Sequence, residues 1–293
     1  MAGGLKEVRN RIASVGSTRQ ITQAMKVVSA AKLRRAQDAI VQMRPYAEKL
    51  QEILVNVSGS LDASENPFAA EREVNNVLLV AITSNRGLCG PFNNNVIKLA
   101  NQRLKELEGA KVDVLCLGKK AGDVFRKTDN FTTLTLGDQP HEIFDNLDFA
   151  HTAAVAEVIM EAFKSGSYDR VELLYNRFVN AALQDVRCEQ MLPIEQGATE
   201  EGAPAKEVDY IFEPSREEIA LNIVPNTLKV QLYKALLDSN ASEHGARMTA
   251  MHKATENAGD LLRDLKLSYN KARQAAITAE ILEIVGGAEA LEG

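Results

Sequence analysis

Few residues of this chain have both the type and the spacing for chemistry, and each group falls short of a known constellation. In SNRGLCGPFN, Ser84 to Asn93, Gly87 and Gly90 stand ahead of a helical stretch, where backbone N–H groups could cradle a phosphate. The spacing supplies only part of G-x-G-x-x-G, G-x-x-x-x-G-K-[ST] occurs nowhere, and Gly118-Lys119-Lys120 has no hydroxyl residue after the lysines. Tight strand-to-helix turns account for both loops. His141, His151, His244 and His252 never stand three or four apart, and His141-Glu142 meets Asp145 where H-E-x-x-H needs its second histidine. G-x-S-x-G is absent as well. Cys89, Cys116 and Cys188 are odd in number and contain no C-x-x-C pair, which fits buried thiols in a reducing compartment. The expectation is therefore no catalytic residue, no cofactor and no metal.

What remains is recognition. Lys26, Lys32, Arg34 and Arg35 form the densest basic group. Residues 1–60 carry ten Lys/Arg against four Asp/Glu, whereas residues 61–207 carry 15 against 23 and residues 208–293 nine against 13, within a net charge of -6. A basic helix on an acidic chain suits an acidic protein partner; the alternative is an ordinary solvated charged face. Nucleic acid is disfavoured because no aromatics are interleaved with these cations.

Long helices must carry that face. From Leu5 to Ser58 there is a single proline, Pro45, expected to bend or locally open a helix of about 80 Å. Leu5, Val8, Ile12 and Val15 step by three and four, as do Leu33, Ala36, Ile40, Met43, Ala47, Leu50, Leu54 and Val57, while Thr18, Thr22, Met25 and Ser29 weaken the stripe between them. At the other end, Pro225 is expected to open a second helix reaching Leu291, about 100 Å long. It is apolar at Leu228, Leu232 and Ala235, again at Leu262, Leu265 and Tyr269, and at its tip from Ile277 to Leu291. Between Asp238 and Asp260 small and polar residues dominate, and this part is expected to be slender and loosely surrounded.

Between the helices the period changes. A polar loop, Gly59 to Glu73, leads to aliphatic runs at Val74–Thr83, Val112–Leu117, Phe131–Leu136, Val171–Val179 and Val186–Leu192, interleaved with helical stretches at 94–108, after Gly118 and at 148–164. This predicts a Rossmann-like α/β domain over 74–193 with a five-stranded, mostly parallel sheet whose last strand is antiparallel. A linker and short helix, 194–224, precede the C-terminal coiled-coil helix, 225–293; the N-terminal one spans 1–58. The longest aliphatic run, Val77–Ile82, is far short of the roughly 20 residues that cross a bilayer. The N-terminus has no signal-peptide core, so the chain is read as mature and cytosolic, meeting a membrane only through partners.

With this plan in hand, several strings can be placed. ITAEILEIVGGAEA (Ile277 to Ala290), ITQAMKVVSAAKLRRAQ (Ile21 to Gln37), SNRGLCGPFN and YNKARQAAIT resemble the γ subunit of F-type ATP synthases, and the similarity runs through nearly the whole chain. The resemblance implies an antiparallel coiled coil of the terminal helices around the α/β domain. It also implies a central-stalk rotor, one copy per complex, inside a ring of three α and three β subunits, with ε and the c-ring at its foot, on the cytoplasmic face of a bacterial membrane. It assigns Met25 and Lys26 to an acidic lever loop of β, Arg247, Gln274 and Thr278 to contacts with β higher on the shaft, and Ile281 and Ile284 to an apolar bearing. The inserted cysteine pair of the plastid type is missing, so thiol control is not expected, and Pro91 stands where the family usually has a small residue. Two other readings stay open: an α/β enzyme using Gly87–Gly90 for a phosphorylated ligand, and a coiled-coil scaffold with a hinge domain. Micromolar ATP binding by the purified chain would favour the enzyme, and ATPase segments at both termini, which the sequence lacks, would mark the scaffold.

Overall fold

The computed structural model describes residues 2–58, 67–70, 72–134, 136, 140–144, 146–194 and 216–292. Most of the expected loop Gly59–Glu73, the linker Gln196–Lys206 and Pro214-Ser215 lie outside these residues. In chain order come α1 (Ala2–Ser58), β1 (Asn76–Ile82), α2 (Phe92–Glu106), β2 (Lys111–Leu117), α3 (Lys119–Phe125), β3 (Phe131–Thr132), a 3-10 turn (Pro140–Phe144), α4 (Phe149–Lys164), β4 (Arg170–Phe178), β5 (Gln184–Leu192) and α5 (Arg216–Glu292).

The sheet order is β3-β2-β1-β4-β5, with β5 antiparallel to β4 and every other pair parallel. Alternation explains why β1 is apolar throughout. Leu78, Val80 and Ile82 join one core with Ile159, Met160 and Phe163 of α4, and Val77, Leu79 and Ala81 join another with Val96 and Ala100 of α2 and Phe125 of α3. Asp169 receives the amides of Asn75 and Asn76 at 3.0 and 2.8 Å where β1 begins, and Asp148 caps α4 by accepting from the His151 amide. The third strand is only two residues long. Leu134 turns into the left-handed region at φ 50°, and its N–H goes to Thr132 Oγ1 instead of a neighbouring strand.

Contacts divide the chain into two units, Ala30–Ala246 and Met1–Ser29 with Arg247–Gly293. In the first, the sheet does not stand alone between two arms. Val224, Leu228, Leu232, Ala235 and Leu236 of α5 are buried in the same core as β1, β4 and α4, so α5 closes one sheet face. That burial also corrects the expected start of the helix. Pro225 lies inside α5, not at its first turn; the backbone bond it forfeits is outweighed by Val224 and Leu228 packing on either side of it. Likewise α1 stays helical through Pro45, which is exposed between buried Ile40 and Leu50, so the expected opening does not occur.

The second unit is an antiparallel helix pair. Arg9 Nη2 donates to Tyr269 Oη at 2.9 Å, Thr255 Oγ1 to Thr22 Oγ1 at 2.9 Å, and Lys26 Nζ lies 3.3 Å from His252 Nδ1. As numbers rise along α1 they fall along α5. Leu5, Val8, Ile12, Val15, Leu262, Leu265 and Tyr269 are half-buried, as a two-helix seam requires. Thr22 and Ser29 are buried within the weak part of the stripe, and their hydroxyls also bond back to Arg19 O and Met25 O. A hydroxyl contact thus pins the register where apolar residues run out.

Candidate interaction surfaces

The glycine turns are filled from within. Lys119 N–H goes to Asn85 Oδ1 at 3.1 Å, Lys120 N–H to Ser84 O at 3.1 Å and Ala121 N–H to Thr83 Oγ1 at 3.0 Å, so the first amides of α3 are already satisfied. Gly118, at φ 127°, is a glycine because a Cβ there would sit 2.1 Å from Thr83 O. In the other turn Ser84 accepts from and donates to Asn93, whose Nδ2 also reaches Cys89 Sγ at 3.1 Å. Pro91 occupies the N-cap of α2 at φ -79°, an ordinary value for proline, and offers no N–H. These are structural joints.

The other two thiols are disfavoured as thiolates. Burial pushes Cys116 up to about 12; Cys188, contrary to the expected burial of all three thiols, is an exposed residue, yet partial covering of its thiol and the nearby Glu172 carboxylate, to which its Sγ donates at 3.2 Å, push it up to about 12 as well. Glu172 is itself clamped by Arg103 Nε and Nη2 at 2.9 and 2.6 Å, a buried bidentate pair that fastens α2 to β4. Among the described residues no group of His, Cys, Asp and Glu has the geometry of a metal site, and no helix is long and apolar enough to cross a membrane.

The residues singled out for partner contact fall into three environments. Lys32, Arg34 and Arg35 are exposed around the buried Leu33 and Ala36 on α1 within the Ala30–Ala246 unit. Met25 and Lys26 are half-buried in the helix pair, where Lys26 meets His252, whose Nε2 is 3.5 Å from Glu256. Arg247 is only 8% exposed and lies against its own chain. Gln274, Thr278, Ile281 and Ile284 are all exposed, Thr278 donating back to Gln274 O at 3.0 Å. Around them Ile277, Leu282 and Val285 are also open, at 46%, 66% and 49%. Isolated apolar side chains on a surface are ordinary, but a helix end bearing this many needs a cover.

One set was invisible to motif reading. Asp238, Ser239, Ser242 and Asn176 are buried, Ser242 Oγ donates to Asn176 O at 3.0 Å, and Asn176 Nδ2 donates to Phe92 O at 3.2 Å. The stretch expected to be loosely surrounded is, from Asp238 to Ala246, tightly packed. Its residues are small because backbone approaches backbone: a Cβ on Gly245 would lie 3.2 Å from Ala181 Cα. The available signal was Gly245 within a run of small residues, which marks close approach as readily as slenderness.

A family model described as ATP synthase matches residues 4–291. Among curated relatives, the ATP synthase gamma chains of Flavobacterium johnsoniae and Flavobacterium psychrophilum are 59% and 58% identical over 290 residues, covering 99% of both chains in each case. Among solved structures, a chain of the Euglena gracilis mitochondrial ATP synthase OSCP/F1/c-ring assembly superposes with a TM-score of 0.66 at 22% identity, covering 99% of this chain and 95% of that one. A chain of the Tetrahymena thermophila mitochondrial ATP synthase central stalk and c-ring gives 0.57 at 24% identity, over 80% of this chain and 99% of that one.

Proposed function

The chain belongs to the family of ATP synthase gamma chains, and from that premise we propose that it is the central-stalk rotor of a bacterial F-type ATP synthase, without a catalytic site of its own. It turns, one copy per complex, within a ring of three α and three β subunits, and its foot meets ε and the c-ring. Catalysis belongs to the β subunits. Rotation presents a different side of the shaft to each in turn and so shifts their populations among states of different nucleotide affinity. The complex works at the cytoplasmic face of the cell membrane, which this chain reaches through its partners.

The observation that carries this reading is the open apolar end of α5. Covering a large aliphatic side chain contributes roughly 1.5–3 kcal/mol, so Ile277, Ile281, Leu282, Ile284 and Val285 together mark a surface that is covered in an assembly. Lys32, Arg34 and Arg35 supply an exposed cationic patch for acidic loops, with individual rim pairs worth about 0.2–1 kcal/mol and weakened by salt. Gln274 and Thr278 are exposed and would be free to meet such neighbours. Arg247, packed against its own chain, would act on β mainly through the segment it supports. The competing enzyme reading is disfavoured because Ser84, Cys89 and Asn93 bond to one another across the Gly87–Gly90 turn and fill it from within.

Native mass spectrometry of complexes isolated through this chain should recover three copies each of α and β with one copy of it; recovery of the chain without them would sink the proposal. Replacing Lys26, Lys32, Arg34 and Arg35 by Glu should lower ATP synthesis in reconstituted vesicles, and unchanged synthesis would remove those residues from the coupling surface.

A further inference from the structure

A rotor with its foot on one partner and its shaft in another has to pass torque between them through its own side chains. The part of α5 from Ala235 to Ala246 is built for that. Ala235, Leu236, Leu237, Asp238 and Ser239 are buried in succession, and Ala241, Ser242, Gly245 and Ala246 follow. A helical turn takes 3.6 residues, so five consecutive buried positions mean that no side of the helix is left open there.

Three elements enclose it. Ile40, Met43 and Arg44 of α1 line a cavity of about 10 Å³ with Leu237 and Asp238. From the β4–β5 hairpin, Asn176 O receives Ser242 Oγ, and Ala181 at the tip meets Gly245. Cys89 from the turn before α2 and Phe92 at the first position of α2 pack on Ala246, and the Asn176 side chain ties the start of α2 to the hairpin through Phe92 O. Apolar contacts alone slide at little cost. Here directional hydrogen bonds are buried away from competing water, and a Cβ at Gly245 would press on the Ala181 backbone at 3.2 Å, so that the hairpin would have to give way by a few tenths of an ångström. Turning α5 by one residue, about 100°, would replace the hydrogen of Gly245 by a side chain against Ala181, so the helix is keyed about its own axis.

We propose that this collar is the torque-bearing joint between the sheet and α5, with Ser242 and Gly245 as its key, closed throughout the catalytic cycle; the proposal rests on the rotor reading. Its test uses the complete complex in vesicles. The Gly245→Val side chain would meet the Ala181 backbone and open the collar. ATP hydrolysis should persist, while ions pumped per ATP and ATP synthesis, both counted per assembled complex, fall severalfold. In the variant Ala246→Cys, which sets a second thiol beside the native Cys89 and leaves the key untouched, oxidation to the disulfide should leave synthesis equal to that of the reduced form, because the joint does not move. Arrest on oxidation, reversed by reductant, would overturn the proposal. So would full coupling by the valine variant accompanied only by a lower Tm, since packing would then be its whole role. Complexes assembled without this chain separate the two ideas: synthesis persisting in them would sink the rotor reading whatever the collar does.

Discussion

Between Asp238 and Ala246, α5 carries aspartate, serine, asparagine, alanine and glycine and is enclosed by its own chain; between Ile277 and Val285 it carries isoleucine, leucine and valine and lies open. Composition alone would assign these surfaces the other way round. The difference shows that on a helix serving two kinds of neighbour, residue size reports how closely another backbone comes, and hydrophobicity reports area to be covered by whatever partner arrives. The enclosed stretch has its partners in the chain. The open one would, under the proposed function, be covered by another subunit.

The contrast can be broken most forcefully at Leu236, which is fully buried beside that stretch. Leu236→Asp should cost the isolated chain about 3–5 kcal/mol, the penalty of an unpaired buried charge, read as a shift in the urea midpoint; a loss below one kcal/mol by the same scale would mean the helix is not enclosed.

Protonation tests the same place. Burial holds the Asp238 carboxyl above its ordinary value, although Lys234, Arg44, Arg177 and the Phe178 amide pull the other way, and Asp238 Oδ1 has no hydrogen-bond partner among the described residues. The folded state therefore holds the proton more tightly than the unfolded one. This contribution to stability is complete below the unfolded value and is lost as pH rises through the raised folded value. Asp238→Asn should accordingly raise the denaturation midpoint over wild type at neutral pH, with the gain shrinking as the solution is made acid. A gain that grows in acid would contradict the assignment.

Ser242→Ala leaves the Asn176 carbonyl short of a buried donor and should cost about 1–3 kcal/mol in thermal or urea unfolding. At the open end, Ile284→Ser should stay within about 0.5 kcal/mol for the isolated chain, yet weaken assembly with α and β subunits in a pull-down. A large loss in the isolated chain would show that the tip packs against its own chain after all.

Period and alternation made most of the fold legible. The three-four stripe from Leu33 to Leu50, and the apolar runs of β1 and β2, follow directly from which faces are buried. Other features were not legible, for a different physical reason in each case. Pro225 is a helix opener by propensity, but Val224 and Leu228 keep the chain helical around it. Phe131 to Leu136 has strand composition, but the left-handed turn at Leu134 ends pairing after Thr132. The helix register could not be inferred from a stripe of threonine and serine, whereas Thr22 to Thr255 fixes it through one hydrogen bond. For the candidate surfaces, the exposed tip and basic patch were visible as strings, while the buried set of Asp238, Ser242 and Asn176 was not, since nothing in a sequence announces which polar residues will face each other.

Rotation itself is the most direct test. With the ring of α and β subunits anchored and a probe fixed to the α/β domain of this chain, ATP hydrolysis should drive stepwise turning in one direction, the probe following α5 without lag through the collar at Asp238–Ala246. A probe that stays still while ATP is consumed would contradict the account.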